Sequence, residues 1–291
     1  MTDYKKILTS YGLTRAVFTA AFTLALALAL ALALAGCGKP LVKTEPHEML
    51  NSILWTQTSA EYIANTRQAY QIAALNLDQA LADPQWTAAL EQTGDYTGLP
   101  PAIIVDLDQT VLDNTAYNAE MINEDEGYSE DSHTNWCRNT TAPAIPGVRE
   151  FLDYAVERGV TVIYNSARHE VMRDCTTRNL QALGLPLPNQ DLLLLADGTS
   201  GSAKVKHRAR MCRQYHILLL IGDNLNDFVD GSMTDPAARR ALARQHAGRW
   251  GREWIILPNP MFGNWESSLY KFDYTLPRDE RLDRKLQQLL H

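Results

Sequence analysis

The chain is short of positive charge. Its 27 Lys and Arg face 34 Asp and Glu over 291 residues, a formal net charge of -7, and no basic patch stands out. A nucleic-acid polymer is therefore not an expected partner. No internal repeat is visible, which excludes repeat arrays. The histidines show no metal-ligand spacing, so His133, His169, His207 and His216 read as surface or helix-end residues. A calcium loop is excluded as well: counting from Asp106, the sixth position is Val111 rather than Gly and the twelfth is Tyr117 rather than Glu.

One long apolar run is present, from Ala16 to Gly36, and Lys5, Lys6 and Arg15 precede it. That layout is a secretory signal, and a retained membrane anchor is the competing reading on length alone. The run ends in Leu34-Ala35-Gly36-Cys37. This resembles the lipobox of bacterial lipoproteins, which implies cleavage before Cys37, lipidation of that residue and attachment to a membrane surface. Gly38, where a retention aspartate would stand, points to the outer membrane. Cysteine is otherwise scarce: Cys137, Cys175 and Cys212 are an odd count in a compartment that permits disulfides. Pairing of Cys137 with Cys175 is one reading, and three free thiols the other.

The expected organisation is a signal over 1–36, a lipidated tether over 37–50, a helical segment over 51–99 and the main domain over 100–291. In the helical segment Thr58 or Ser59 can cap a helix along which Tyr62, Tyr70, Ala73, Ala74, Leu77 and Leu81 recur at helical spacing until Asp83-Pro84. That helix would wall a crevice or pair two subunits as a homodimer. From Pro100 onward short apolar runs alternate with amphipathic stretches. Strands are predicted at 102–107, 160–165, 192–196, 217–222 and 254–257, and helices at 147–158, 169–183, 203–214 and 236–249. This is an α/β class, a Rossmann-like parallel sheet covered by helices with an added N-terminal helical segment. Arg278 to Leu290 reads as a charged surface helix.

Chemistry concentrates at the carboxyl ends of the predicted strands. The buried run Ile103-Ile104-Val105 delivers Asp106 and Asp108 to the crevice where open α/β sheets bind ligands. Ser166 and Arg168 follow the second strand, Lys204 opens a helix, and Gly222-Asp223-Asn224-Leu225-Asn226-Asp227 follows another apolar run. In this order the four elements resemble the motifs of the haloacid dehalogenase-like (HAD-like) phosphatases. Leu54-Trp55-Thr56-Gln57-Thr58-Ser59-Ala60-Glu61-Tyr62, Leu112-Asp113-Asn114-Thr115-Ala116-Tyr117 and Leu257-Pro258-Asn259-Pro260-Met261-Phe262-Gly263-Asn264-Trp265-Glu266 are similar to the bacterial lipoprotein acid phosphatases, the class C or lipoprotein e type of 5′-nucleotidase. Gln109 and Phe262 depart from that pattern, which commonly has Glu and Tyr there.

The resemblance implies a Mg²⁺-dependent acid phosphatase acting on phosphomonoesters, 5′-nucleotides or nicotinamide mononucleotide. Asp106 would be the nucleophile and Asp108 the general acid and base. Asp106 and Asp223 would bind metal through side chains, Asp108 through its backbone carbonyl, and Asp227 would support them. Ser166 and Lys204 would hold the phosphoryl group, with Arg168 a further candidate and Lys206 the reserve for Lys204. Trp136 and Phe262 are the candidates for stacking on a flat base, against the alternative that both rings only pack on the sheet. The competing functions are a surface lipoprotein that binds nucleotides or haem-like ligands without turnover, and dehalogenation, which needs no second aspartate.

Overall fold

The computed structural model describes residues 47–124, 128–139, 142–197 and 203–289. The signal over 1–36, Cys37 and most of the tether lie outside the described residues.

Two helices come first, α1 (Leu50–Thr58) and α2 (Ala60–Ala82). Ser59 separates them in an extended conformation, and its Oγ accepts the Tyr62 N–H at 3.0 Å, satisfying a donor that the helix start leaves open. The predicted cap is therefore in place. α1 falls in the expected helical segment but was not predicted as a separate helix, because it buries only Ile53 and Thr56, too few for a periodic signal. Along α2 the buried residues Tyr62, Thr66, Ala69, Tyr70, Ala73, Asn76, Leu77 and Ala80 recur at helical spacing and form one face. Leu81, expected in that stripe, is exposed.

The core is a five-stranded parallel sheet in the order β3-β2-β1-β4-β5, made of β1 (Pro101–Val105), β2 (Thr161–His169), β3 (Leu193–Ala196), β4 (His216–Gly222) and β5 (Trp254–Ile256). Successive β1 residues go to opposite faces, as a pleated strand requires. Ile103 and Val105 join Tyr70, Leu77 and Phe151 in one apolar layer, whereas Ala102 and Ile104 join Ile217, Phe228 and Trp254 in the other. Both faces are thus buried, and the strand reads as a continuous apolar run.

Crossovers carry the remaining helices. Between β1 and β2 lie α3 (Thr115–Glu124), α4 (Glu130–Asn139) and α5 (Val148–Glu157). α6 (Arg173–Ala182), α7 (Ala203–Met211) and α8 (Pro236–Gln245) connect the later strands, and α9 (Asn264–Ser267) and α10 (Arg278–Leu286) follow the sheet. The disulfide Cys137–Cys175 joins α4 to α6 across 38 residues of chain. By the chain-entropy account a closure of that length stabilises the fold by roughly 3–4 kcal/mol. Cys212 is free and buried.

Strand order reverses between β1 and β4: the chain runs outward through β2 and β3 on one side, then through β4 and β5 on the other. The crevice outside the carboxyl ends of β1 and β4 is the place where such sheets bind ligands. Asp106 follows β1 and Asp223 follows β4.

Candidate active site

The Asp106 N–H donates to the Ile221 carbonyl at 2.9 Å, so the backbone after β1 stays registered on β4 as it enters the crevice. The carboxylate of Asp106 is buried, with Oδ1 accepting from Lys204 Nζ at 2.5 Å and Oδ2 from Thr110 Oγ1 at 3.3 Å. Below the turn, Tyr70 of α2 donates its hydroxyl to the Thr110 carbonyl at 2.6 Å. Gln109 takes a left-handed φ of 57°, and its side-chain oxygen accepts the Asn114 N–H at 2.6 Å. An amide oxygen accepts that bond as a carboxylate oxygen would, while the Gln109 Nε2 is buried with no partner among the described residues.

Lys204 also donates to Asp227 Oδ1 at 2.5 Å, so one buried ammonium bridges two buried carboxylates. The other oxygen of Asp227 accepts the Asn224 N–H at 2.9 Å in a capping box around the short turn Leu225–Asp227. Arg208 lies one helical turn after Lys204 on the same face of α7. Its Nη1 holds the carbonyls of Asn226 and Asp227 at 2.9 and 3.1 Å, while Nε bonds Glu91. Lys206 is exposed, which separates it from Lys204.

Carboxylate oxygens of Asp106, Asp223 and Asp227 lie within 4.8 Å of one another, close enough to hold a metal ion. Asn259, in the segment after β5, donates to Asp223 Oδ2 at 2.7 Å. Burial, followed by the charges of Asp106 and Asp227, pushes the Asp223 carboxyl well above its ordinary range. Burial also raises Asp106, to about 7, with Lys204 opposing and Asp227 and Asp108 adding to the rise. For Lys204 burial acts downward, but the charges of Asp106 and Asp227 outweigh it and keep the ammonium protonated. One cation among three carboxylates leaves the cluster short of positive charge.

This sets a sign for stability. Between the ordinary aspartate value near pH 4 and about pH 7, Asp106 holds its proton in the folded state and loses it when unfolded. Metal-free protein is therefore expected to lose stability as pH rises through that window, on the order of a few kcal/mol. Thermal melts from pH 4.5 to 7.5 check this. Added divalent cation should flatten the slope, and a metal-free stability that rises through the window would contradict the account.

Asp108 has the opposite environment. Burial acts upward, but the charge and hydrogen bonds of Arg168 outweigh it and hold the carboxyl well below the usual carboxylate range. Arg168 Nη2 bonds Asp108 Oδ1 at 2.7 Å, Nε bonds both oxygens at 3.0 and 3.1 Å, and Asn114 donates to Oδ1 as well. Nη1 of Arg168 bonds Thr176 Oγ1 at 3.0 Å and approaches Cys137 Sγ at 3.6 Å. The guanidinium is thus directed at Asp108 and α6. β2 extends through His169, four residues past the predicted end, so Arg168 is a buried strand residue and not the start of a helix. Ser166, on the same strand, is fully buried two positions beyond the Val105–Tyr164 pair, and its Oγ accepts the Arg168 N–H at 3.1 Å.

Two further expectations change. Trp136 is buried in α4 against Tyr117 and His133, with ring centroids 5.6 and 6.1 Å away. The exposed ring of that cluster is Tyr128, which sequence reasoning missed. Phe262 is half-buried in the segment that carries Asn259. His133 and His216 are buried instead of lying at the surface. His216 Nε2 contacts the Trp86 carbonyl, whereas His207 bonds Asn165 and His169 pairs with Glu130.

Gly222 allows the acidic turn to close, because a Cβ there would overlap the Asp227 carboxylate. Gly222→Ala is expected to displace Asp227 from Lys204 and lower kcat by roughly tenfold or more, since small misplacements of catalytic groups are costly. Phosphatase assay beside a thermal melt checks it. Wild-type turnover would show that the turn tolerates the methyl group.

A doubly wound parallel sheet whose switch point gathers three carboxylates and a lysine has the donor set of an α/β enzyme that could hold a divalent cation in its crevice. A family model described as HAD superfamily, subfamily IIIB (Acid phosphatase), matches residues 38–265. The structure of the class C acid phosphatase from Bacillus anthracis is similar to this chain at 32% identity and a TM-score of 0.75, over 84% of this chain and 97% of that one. A crystal structure of the same Bacillus anthracis enzyme with tungstate bound matches with the same values. The chain belongs to the subfamily IIIB acid phosphatases of the HAD superfamily and is a phosphomonoester hydrolase.

Proposed function

We propose that the protein is a lipid-anchored, Mg²⁺-dependent phosphatase that hydrolyses 5′-nucleotides or nicotinamide mononucleotide outside the cytoplasm through an aspartyl phosphate on Asp106. The observation that carries this reading is the bridge from Lys204 to Asp106 and Asp227 beside Asp223.

The cluster fits a hard divalent cation, because its donors are carboxylate oxygens and its charge is unbalanced. Asp106 and Asp223 would hold the ion with side-chain oxygens and Asp108 with its carbonyl, while Asp227, whose oxygens are engaged by Lys204 and Asn224, supports from behind. When bound, Mg²⁺ supplies the positive charge that lets a carboxylate approach a phosphate dianion.

The chain's own groups do the rest. An Asp106 oxygen bonds to phosphorus as the bond to the leaving alkoxide breaks, and a proton on Asp108 goes to that alkoxide. Water then attacks phosphorus, gives its proton to Asp108 and frees Asp106 as inorganic phosphate departs. Lys204 and Ser166 stabilise the phosphoryl oxygens. Because Arg168 favours ionised Asp108, the acid form needed in the first step is populated at low pH or once the leaving oxygen displaces part of the Arg168 contact. Tungstate, bound in the Bacillus anthracis relative, is a tetrahedral oxyanion like phosphate, which supports an oxyanion site here. A flat base would be offered the rings of Tyr128 and Phe262. Lipidation at Cys37 would place the enzyme at the outer membrane, where removing phosphate converts a charged metabolite into a nucleoside.

A panel of phosphomonoesters, assayed on membrane fractions with and without chelator, tests this reading. Phosphate release from 5′-nucleotides that stops with chelator and returns with Mg²⁺ is expected. Turnover that ignores chelator, or that omits nucleotides, would overturn it.

A further inference from the structure

We propose that His133 sets the leaving-group preference of this phosphatase, with its imidazole hydrogen-bonding a sugar hydroxyl of the departing alcohol. This deepens the nucleotide reading above and rests on it.

Helix α4 is fixed at both ends beside the crevice. Glu130, in its first turn, pairs with His169 Nδ1 at 3.0 Å at the end of β2, and Cys137, in its last turn, is bonded to Cys175 of α6. His133 and Cys137 are four residues apart and therefore share one helix face. Cys137 Sγ lies 3.6 Å from Arg168 Nη1, and Arg168 grips Asp108. The face that carries His133 is thus turned toward the Arg168–Asp108 pair. Asp108 exchanges its proton with the leaving oxygen, so groups gathered around Asp108 from this side meet the alcohol and not the phosphoryl group.

The ring is held but its chemistry is unused. His133 packs against Tyr117, with centroids 4.9 Å apart, and against Trp136 and Tyr128 at 6.1 and 5.8 Å. The residue is 7% exposed, and its Nε2 has no hydrogen-bond partner among the described residues. A buried ring nitrogen left unpaired is costly, and a ligand hydroxyl offsets that cost. Burial lowers the His133 pKa, with Asp108 acting upward and Arg168 downward, which favours the neutral ring. At Nε2 a neutral imidazole donates or accepts according to its tautomer, and a hydroxyl can answer either way. An anionic group at the same place would face the Asp108 carboxylate.

The test compares two substrates in wild type and in His133→Phe, which keeps the ring contacts and removes the nitrogens. The expected result is that kcat/KM for adenosine 5′-monophosphate falls roughly tenfold to a hundredfold, while that for p-nitrophenyl phosphate stays within about twofold. His133→Gln, which restores a donor and an acceptor, should recover most of the loss. Wild type adds a check that needs no variant: it should disfavour 2′,3′-dideoxyadenosine 5′-monophosphate by about tenfold or more relative to the parent nucleotide. Equal losses on both substrates in the folded variant, no loss on either, or a wild type indifferent to the sugar hydroxyls would each overturn the assignment. Wild type that leaves every nucleotide intact while hydrolysing p-nitrophenyl phosphate would instead remove the nucleotide reading on which it rests.

Discussion

Asp106→Asn is expected to lower kcat by roughly 10⁴-fold or more while leaving the protein folded. The size follows from the position. Asp106 is the carboxylate at the carboxyl end of β1, its backbone N–H is pinned to β4, and its side chain is held by Lys204 and Thr110. Asparagine has the same shape and can still accept from Lys204, but its amide is a poor nucleophile. Folding should not suffer. The substitution removes one of three clustered carboxylates, and with it a charge that raises Asp223, so metal-free variant is expected to melt at or above the wild-type temperature near neutral pH. Assay with p-nitrophenyl phosphate beside a thermal melt separates the two effects. Substantial turnover by folded Asp106→Asn would mean that another group attacks phosphorus.

Lys204→Met is expected to damage both stability and activity. Methionine fills much of the space of the lysine stem but leaves Asp106 and Asp227 buried without their shared cation. Removing one partner from a buried ion pair typically destabilises by about 3–5 kcal/mol, because the remaining charge is uncompensated. The loss should be largest above about pH 7, where Asp106 is ionised, and smaller in acid, where it carries a proton. Divalent cation should recover part of it. Turnover should fall by roughly 10²–10³-fold, the usual effect of deleting one electrostatic contact to the transition state. Denaturant unfolding at two pH values, with and without Mg²⁺, checks the first claim and steady-state kinetics the second. A variant as stable as wild type without metal would show that Lys204 does not balance the acidic cluster.

The parts of this architecture set by periodicity were legible in the sequence. β1 and β4 are buried on both faces and read as apolar runs, and Ser59 caps its helix through the residue type that caps prefer. What escaped was set by tertiary contact. Arg168 looked like a helix start, yet β2 runs on through it because its guanidinium is paired to Asp108 and its neighbours pair with β3. α3 and α4 were missed because helices so polar carry little apolar stripe, and α4 is held largely by its disulfide and a cluster of rings. His133, read as a surface or helix-end residue, is buried for the same reason. Asn259 is in sequence only a turn residue between prolines, and its bond to Asp223 emerges once β5 brings it to the crevice.

The central claim is a covalent intermediate on one carboxylate. Acid quench during turnover of p-nitrophenyl phosphate, followed by peptide mapping by mass spectrometry, reads it directly. A phosphoryl adduct on the peptide containing Asp106, absent from Asp106→Asn, is the predicted result. An adduct on another residue, or steady turnover by Asp106→Asn with no adduct, would contradict the account.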